Sequence, residues 1–409
     1  MDQTDLPQGI ALTPLDENFR RDPYVVLGRL RAEAPVLEDT VLKRFIVTRH
    51  DDVREILRDR DFWSDPRKAN PGTFSANFLL GANRQEEPSM LLMDEPGHRR
   101  LRGLVSSSFT PAAVERWRPR IRRVVEMVLA DINVDEFNLI TDFAGPVPTV
   151  VIAEMLGIDP ARRGDFKQWS DESVKVSFNP FAQPEERARG DRARDLLEAF
   201  FAAEISARRL NPGDDLISDM IRAEAGGDRL TEQEMIAQCN LLLIAGNVTT
   251  TDLIGNAVKA LLENPDELAR LRAEPTLIVN AVEEALRFDS PVVNSGRIPN
   301  RDIDVAGCPV HKGESLSTSL AAANHDPAIY PEPDRFRITR EDTHHQSFGG
   351  GRHLCLGAHL ARAEAQEAIL GLLNHFPTLS LSQRGHVYHA IPSFRGMSEL
   401  WVSATGRKV

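Results

Sequence analysis

Residues 231–263 constrain the fold more than any other stretch. Thr231 and Glu234 have the spacing of a capping box, in which each side chain satisfies the other's free backbone N–H. An apolar pattern then runs to Leu261-Leu262 and stops before Asn264-Pro265. It predicts one helix of roughly 30 residues, about 45 Å at 1.5 Å per residue, enough to cross a whole domain. Its middle, from Leu241 to Thr251, is apolar all round, so the helix must be buried among other elements. Gly246 and the threonines at 249, 250 and 251 are poor helix material. A threonine hydroxyl bonds the carbonyl four residues back and bends the helix. A weakened turn in a buried helix is a place for a ligand; Gly246 equally suits close helix packing.

Around this helix, helical patterns fill most of residues 90–290, broken by short punctuation such as Asn211-Pro212-Gly213. Shorter strand-like runs lie near 35–48 and 293–319. The fold class is therefore mainly α with a smaller β-rich part (α+β). The β segments come from both ends of the chain and are expected to pair across it, which favours one domain over residues 1–409. The net charge of −12 argues against a general nucleic-acid binder. No run of about 18 apolar residues occurs, which argues against a membrane span. The N-terminal stretch has neither a basic region nor a long apolar run, so a cytoplasmic location is expected. Three cysteines, Cys239, Cys308 and Cys355, lie far apart, as suits reduced thiols rather than a disulfide framework. Cys239, inside the long helix, reads as a small buried hydrophobe.

The most specific stretch is Ser347-Phe-Gly-Gly-Gly-Arg-His-Leu-Cys355-Leu-Gly357. Glycines ahead of the cysteine let backbone approach a bulky group and turn N–H groups towards the sulfur. The segment from Ala358 to Leu370 is a good helix, which places Cys355 at a helix N-terminus, where the dipole and free N–H groups favour a thiolate. Such a thiolate is a nucleophile or a metal ligand. A zinc set drawn from His344, His345, His353, Cys355 and His359 would not need the glycines, and a buried structural cysteine explains neither the glycines nor the helix start.

Phe348, Gly349, Gly351, His353, Cys355 and Gly357 together resemble the haem-ligand loop of the cytochrome P-450 superfamily. Ala245-Gly246-x-x-Thr249 resembles that family's oxygen-binding groove. Glu284-Ala-Leu-Arg287 is similar to its E-x-x-R helix, and Pro333-Asp334-Arg335-Phe336 to the segment completing a Glu284–Arg287–Arg335 triad. The likeness covers nearly the whole chain. It implies haem b as cofactor, Cys355 as iron ligand, and a structural triad that holds the cysteine loop. Propionate partners are implied at His98, Arg102, Arg297 and His353, with Ala245, Gly246, Phe348, Gly349 and Gly357 against the haem.

The resemblance also implies a monomeric monooxygenase that inserts one oxygen atom of O₂ into a hydrophobic small molecule, by hydroxylation or O-/N-dealkylation. Electrons would come from NAD(P)H through ferredoxin reductase and ferredoxin, docking on a basic face made by Arg99, Arg100, Arg116, Arg118, Arg120 and Arg352. Thr249 stands at the family's catalytic threonine. Val248, however, occupies the usual acid position, and Asp252, one turn on, is the expected substitute. The pocket is expected at Phe74, Phe78, Leu79, Phe178, Phe181, Leu242, Ala245, Val292, Val293 and Phe394. A peroxide-using haem-thiolate enzyme and a non-catalytic haem-binding protein remain as other readings.

Overall fold

The computed structural model describes residues 6–79, 89–177, 179, 181–223 and 229–405. In chain order the helices begin with α1 (Glu17–Arg21), α2 (Pro23–Glu33), α3 (His50–Arg58), α4 (Gly97–Val105), α5 (Pro111–Ala130), α6 (Pro146–Met155) and α7 (Arg163–Ser177). Next come α8 (Pro184–Leu210), α9 (Leu216–Arg222), α10 (Glu232–Glu263), α11 (Pro265–Ala273), α12 (Ile278–Phe288), α13 (Leu320–Asn324) and α14 (Ala358–His375). The strands are β1 (Val36–Asp39), β2 (Arg44–Val47), β3 (Phe62–Trp63), β4 (Glu136–Asn138) and β5 (Asn294–Pro299). They continue with β6 (Ile303–Val305), β7 (Cys308–Val310), β8 (Leu316–Ser319), β9 (Thr378–Tyr388) and β10 (Met397–Thr405).

Helix α10 starts where the capping box predicts: Glu234 N–H donates to Thr231 Oγ1 (3.2 Å) and Thr231 N–H to Glu234 Oε2 (2.8 Å). It packs against α6, α8, α12 and α14, the centre of the largest apolar core. Its length and hydropathy would suffice to cross a membrane, yet most of that stretch is buried inside this core. The two threonine back-bonds are present, Thr249 Oγ1 to the Ala245 carbonyl (2.7 Å) and Thr251 Oγ1 to the Asn247 carbonyl (2.9 Å). Gly246 does not mediate helix packing: a Cβ there would meet nothing within 4 Å.

The β segments pair across the chain as expected. The main sheet has the order β1-β2-β8-β5-β3, with β2 and β8 parallel and Phe45, Ile46 and Val47 opposite Leu316, Ser317 and Thr318. A second sheet, β4-β10-β9, was not legible in the sequence. Half of β9 faces solvent, so its hydrophobic alternation is weak.

The buried triad differs from expectation. Glu284 and Arg287 are both fully buried and form a fork, Nε to Oε2 at 2.8 Å and Nη2 to Oε1 at 2.9 Å. The third member is Arg340, whose Nε lies 3.1 and 3.2 Å from the two carboxylate oxygens. Arg335 is instead largely exposed and 3.6 Å from Glu332. Only its carbonyl joins the network, accepting from Arg340 Nη2 at 2.9 Å. An expectation built on the short Pro333–Phe336 motif stops five residues too early, because the chain turns back before the second arginine reaches Glu284. Removing one partner of a buried ion pair strands the other, at a typical cost of about 3 kcal/mol. Arg340→Ala should therefore lower stability by about that amount in urea unfolding, while Arg335→Ala should stay within about 0.5 kcal/mol of wild type.

Candidate active site

Helix α10, the loop before α14, strands β2, β8 and β5 of the main sheet and the chain around Phe74 enclose a cavity of about 420 Å³. Cys355, Phe348, Gly349, His353 and Gly357 all line it, as do Ala245, Gly246 and Thr249 from α10. The cysteine loop and the weak turn of the long helix thus meet at one space.

The loop is shaped by backbone bonds. Cys355 N–H donates to the Phe348 carbonyl at 2.9 Å, closing the loop on itself. Gly349 and Gly351 have φ of +68° and +63°, where side chains are strained. Gly351 has a second reason to lack a Cβ, which would lie 2.5 Å from the Leu57 carbonyl at the end of α3. Burial raises the Cys355 thiol, while the Gly357 N–H bonded to the sulfur and the charges of Arg102 and Arg362 pull it down. Arg362 forks onto Glu283 (2.6 and 2.8 Å) and lies 4.4 Å over the Phe348 ring, fixing the loop from below α14. From the triad side, Asn324 donates to Ser347 Oγ (2.8 Å) and accepts from Gln346 N–H (2.7 Å), while Arg287 donates to the Asn324 carbonyl (3.0 Å).

One part of the wall is rich in hydrogen-bond donors and carries the charges of two arginines. His98 and His353 sit with ring centroids 4.2 Å apart, and Arg102 and Arg297 line the same cavity. Burial, with Arg297, His98 and Arg352 nearby, lowers His353 to about 3. Burial and Arg352 lower Arg297 to about 10. His98 Nδ1 and Ser64 Oγ are buried with no hydrogen-bond partner, and Ser64 also lines the cavity. Crowded donors of this kind suit a ligand carrying carboxylates. The zinc set is not assembled: His344 bonds Asp342 at 2.7 Å and His345 lies 3.3 Å from Glu283. Among the described residues no cluster of three or more His, Cys, Asp or Glu has a metal-binding arrangement.

Asp252 does not face this space. Its carboxylate accepts from His389 Nε2 at 3.0 and 3.1 Å on another side of α10. Burial raises its carboxyl, and burial notwithstanding, Asp252 raises the His389 imidazole. Gly396 permits this approach, since a Cβ there would lie 1.8 Å from Asp252 Oδ1. The reading of Asp252 as a substitute proton donor is thereby corrected: it pins the helix to the chain before β10. Among the described residues, the acid that does line the cavity is Glu364, on α14, which accepts a bond from Thr250. Its only sequence signal is a carboxylate between Ala363 and Ala365 on an otherwise apolar helix face.

Of the expected substrate positions, Phe74, Phe181, Leu242, Ala245, Val292 and Phe394 line the cavity. Val293 does not: it is 1% exposed in a separate core with residues of α2 and α13. Val292 instead bridges Phe394 at the cavity wall, just ahead of β5. Phe178 lies outside the described residues, as do the side chains of Phe78 and Leu79.

The family model for cytochrome P450 matches residues 178–387. Cytochrome P450 107B1 of Saccharopolyspora erythraea is 39% identical over 379 residues, covering 91% of this chain and 92% of that protein. The biotin biosynthesis cytochrome P450 of Bacillus subtilis is 35% identical, covering 96% and 99%. Among solved structures, P450BioI in complex with hexadec-9Z-enoic acid ligated acyl carrier protein aligns with a TM-score of 0.86 at 35% identity. That alignment covers 95% of this chain and 99% of the other. The chain belongs to the cytochrome P450 family. Its cofactor is haem b and its activity is that of a P450 oxidoreductase; the thiol, the cationic wall and the orphaned His98 Nδ1 fit that group.

Glu364 offers a test of the buried wall. Burial holds its carboxyl well above the usual 4.5, and the bond from Thr250 only partly offsets this. The unfolded chain ionises near 4.5, so this group's contribution to stability falls as pH rises from there towards the folded value. Glu364→Gln cannot ionise and keeps the acceptor for Thr250. Its unfolding midpoint should gain on wild type progressively between about pH 5 and 8; parallel curves would place the carboxylate in contact with water.

Proposed function

We propose that Cys355 ligates the haem iron and that His98, Arg102, Arg297 and His353 hold its propionates, with Ser64 as a further donor. The observation that carries this reading is the meeting of the Cys355 sulfur, the donor-rich wall of His98, Arg102, Arg297 and His353, and the open turn of α10 in one cavity. When bound, a thiolate-ligated haem supplies the reductive activation of O₂ that inserts one oxygen atom into a substrate. Phe348 and Gly357 shape the floor, and Ala245 and Gly246 keep α10 clear of it. Thr249 offers a hydroxyl at the cavity wall. With Val248 apolar and Asp252 turned to His389, the acid at the wall among the described residues is Glu364, which accepts a bond from Thr250. Phe74, Phe181, Leu241, Leu242, Val292 and Phe394 provide an apolar bed, so the substrate is a hydrophobic small molecule. Relatives named vitamin D(3) 25-hydroxylase and 6-deoxyerythronolide B hydroxylase support hydroxylation as the reaction.

Electrons are proposed to arrive from NAD(P)H through ferredoxin reductase and an acidic ferredoxin. Several of the arginines first considered for this dock are already engaged: Arg99 with Glu95, Arg100 with Glu234, and Arg118 with Glu115 and Glu367. Arg116 and Arg120 are exposed on α5, and Arg352 donates only to carbonyls, which leaves these three charges for the dock. A peroxide-driven reaction is the second reading, favoured by the absence of an acid at residue 248.

The purified holoprotein should show the shifted Soret band of a thiolate-ligated haem in its reduced CO complex, and Cys355→Ser should lose it. NADH with ferredoxin and reductase should then drive product formation; turnover with peroxide alone would select the second reading. Replacing Arg116 and Arg120 with Gln should slow reduction by ferredoxin several-fold at low salt. That difference should vanish once the Debye length falls to about 3 Å, near 1 M salt.

A further inference from the structure

Arg44 opens β2 and lines the same cavity beside Phe74. Its side chain is only 3% exposed, and its register partner across the β1–β2 hairpin is Asp39, fully buried. Arg44 Nε donates to Asp39 Oδ2 at 3.1 Å. The other carboxylate oxygen of Asp39 is occupied by the N–H groups of Gly9 (2.9 Å) and Leu42 (3.2 Å). Asp39 thus accepts three bonds, while the guanidinium has used one N–H of five. Arg44 Nη2 is buried and has no hydrogen-bond partner. The guanidinium carbon lies 4.9 Å from the centroid of the Phe74 ring, which holds the planar group in place without using its donors.

Arg44 on β2 and Arg297 on β5 stand two strands apart in the main sheet, with β8 between them. Arg297 feels the charges of Arg352 and Asp94, whereas Arg44 feels that of Asp39 alone. The cavity thus carries two distinct sets of unfilled donors. One is explained by the cofactor; the other sits among the residues of the substrate bed. A rigid, permanently charged fork with a free edge in an apolar wall is suited to a planar two-oxygen anion.

We propose that the free edge of Arg44 receives the carboxylate of an apolar carboxylic acid, making such acids the substrate class, with the apolar body held against Phe74, Phe181, Leu242 and Phe394. The proposal rests on the cavity being the substrate site of a thiolate-ligated haem enzyme. A neutral ester of the same acid would leave the guanidinium unmatched, so the two should be separated by binding alone.

The test is a spectral titration of the holoenzyme with dodecanoic and hexadecanoic acids and their methyl esters, following the low- to high-spin shift. Wild type should bind each acid at least about tenfold more tightly than its ester, a difference of about 1.4 kcal/mol. In Arg44→Gln that ratio should fall towards one. Arg44→Lys, which keeps charge but loses the fork, should fall between them. If Arg44→Gln fails to retain haem, the wild-type ratio and the Lys variant decide. A wild-type ratio of one or less, an unchanged ratio in the variants, or no shift with any acid would overturn the proposal. The reduced CO complex separates this from failure of the underlying reading: a thiolate-type band with no acid preference rejects Arg44's role alone, whereas loss of that band rejects the haem-thiolate assignment itself.

Discussion

A single carboxylate, Glu284, organises the proximal half of this protein. It receives both Arg287 and Arg340 in a fully buried site and also accepts the Arg337 N–H at 2.9 Å. Two guanidiniums on one carboxylate leave excess positive charge, which is offset by backbone carbonyls: Asn324 and Pro333 for Arg287, and Pro331, Glu332 and Arg335 for Arg340. Those carbonyls belong to the meander between α13 and the cysteine loop, a segment with little regular structure of its own. The ion cluster therefore substitutes for a secondary-structure ladder. Through Asn324 it fixes Gln346 and Ser347, and through them the point from which Cys355 enters the cavity.

The cavity itself is a problem in matching charge. His98, Arg102, Arg297 and His353 share one wall, where burial first, and the neighbouring charges second, lower His353 and Arg297. The carboxylates of a haem are the partners proposed for it. Much of the rest of the wall is apolar, and at three of its polar points a donor or acid has a limited or missing partner. Ser64, Glu364 and Arg44 are therefore informative in a way that the surrounding leucines and phenylalanines are not.

Much of this was legible in the sequence because it rests on local rules. The capping box at Thr231, the threonine back-bonds in α10 and the glycine-rich turn before Cys355 are set by residues within a few positions of one another. Cross-chain pairing of β2 and β8 was readable from the location of strand-like runs. What escaped depends on where distant side chains point. Arg335 and Arg340 are equally plausible in sequence, and only the path of the meander selects the second. Val292 bridges Phe394 at the cavity while Val293 packs into a separate core, and Asp252 and Glu364 exchange places because helix rotation, not spacing along the chain, decides which acid faces the cavity. Strands β9 and β10 were missed because β9 is half solvated and lacks a clear apolar alternation.

The parallel pair β2–β8 has a further consequence for how the protein is made. Residues 45–47 meet residues 316–318 only after the whole helical body between them has been synthesised, and the cysteine that completes the site lies later still. Pairings of such long sequence separation form slowly, because the loop entropy is lost before the contacts are gained. The walls on either side of Cys355 therefore cannot close during early synthesis. The open cleft becomes a chamber only when the first strands of the chain find their partner, β8, far along the sequence.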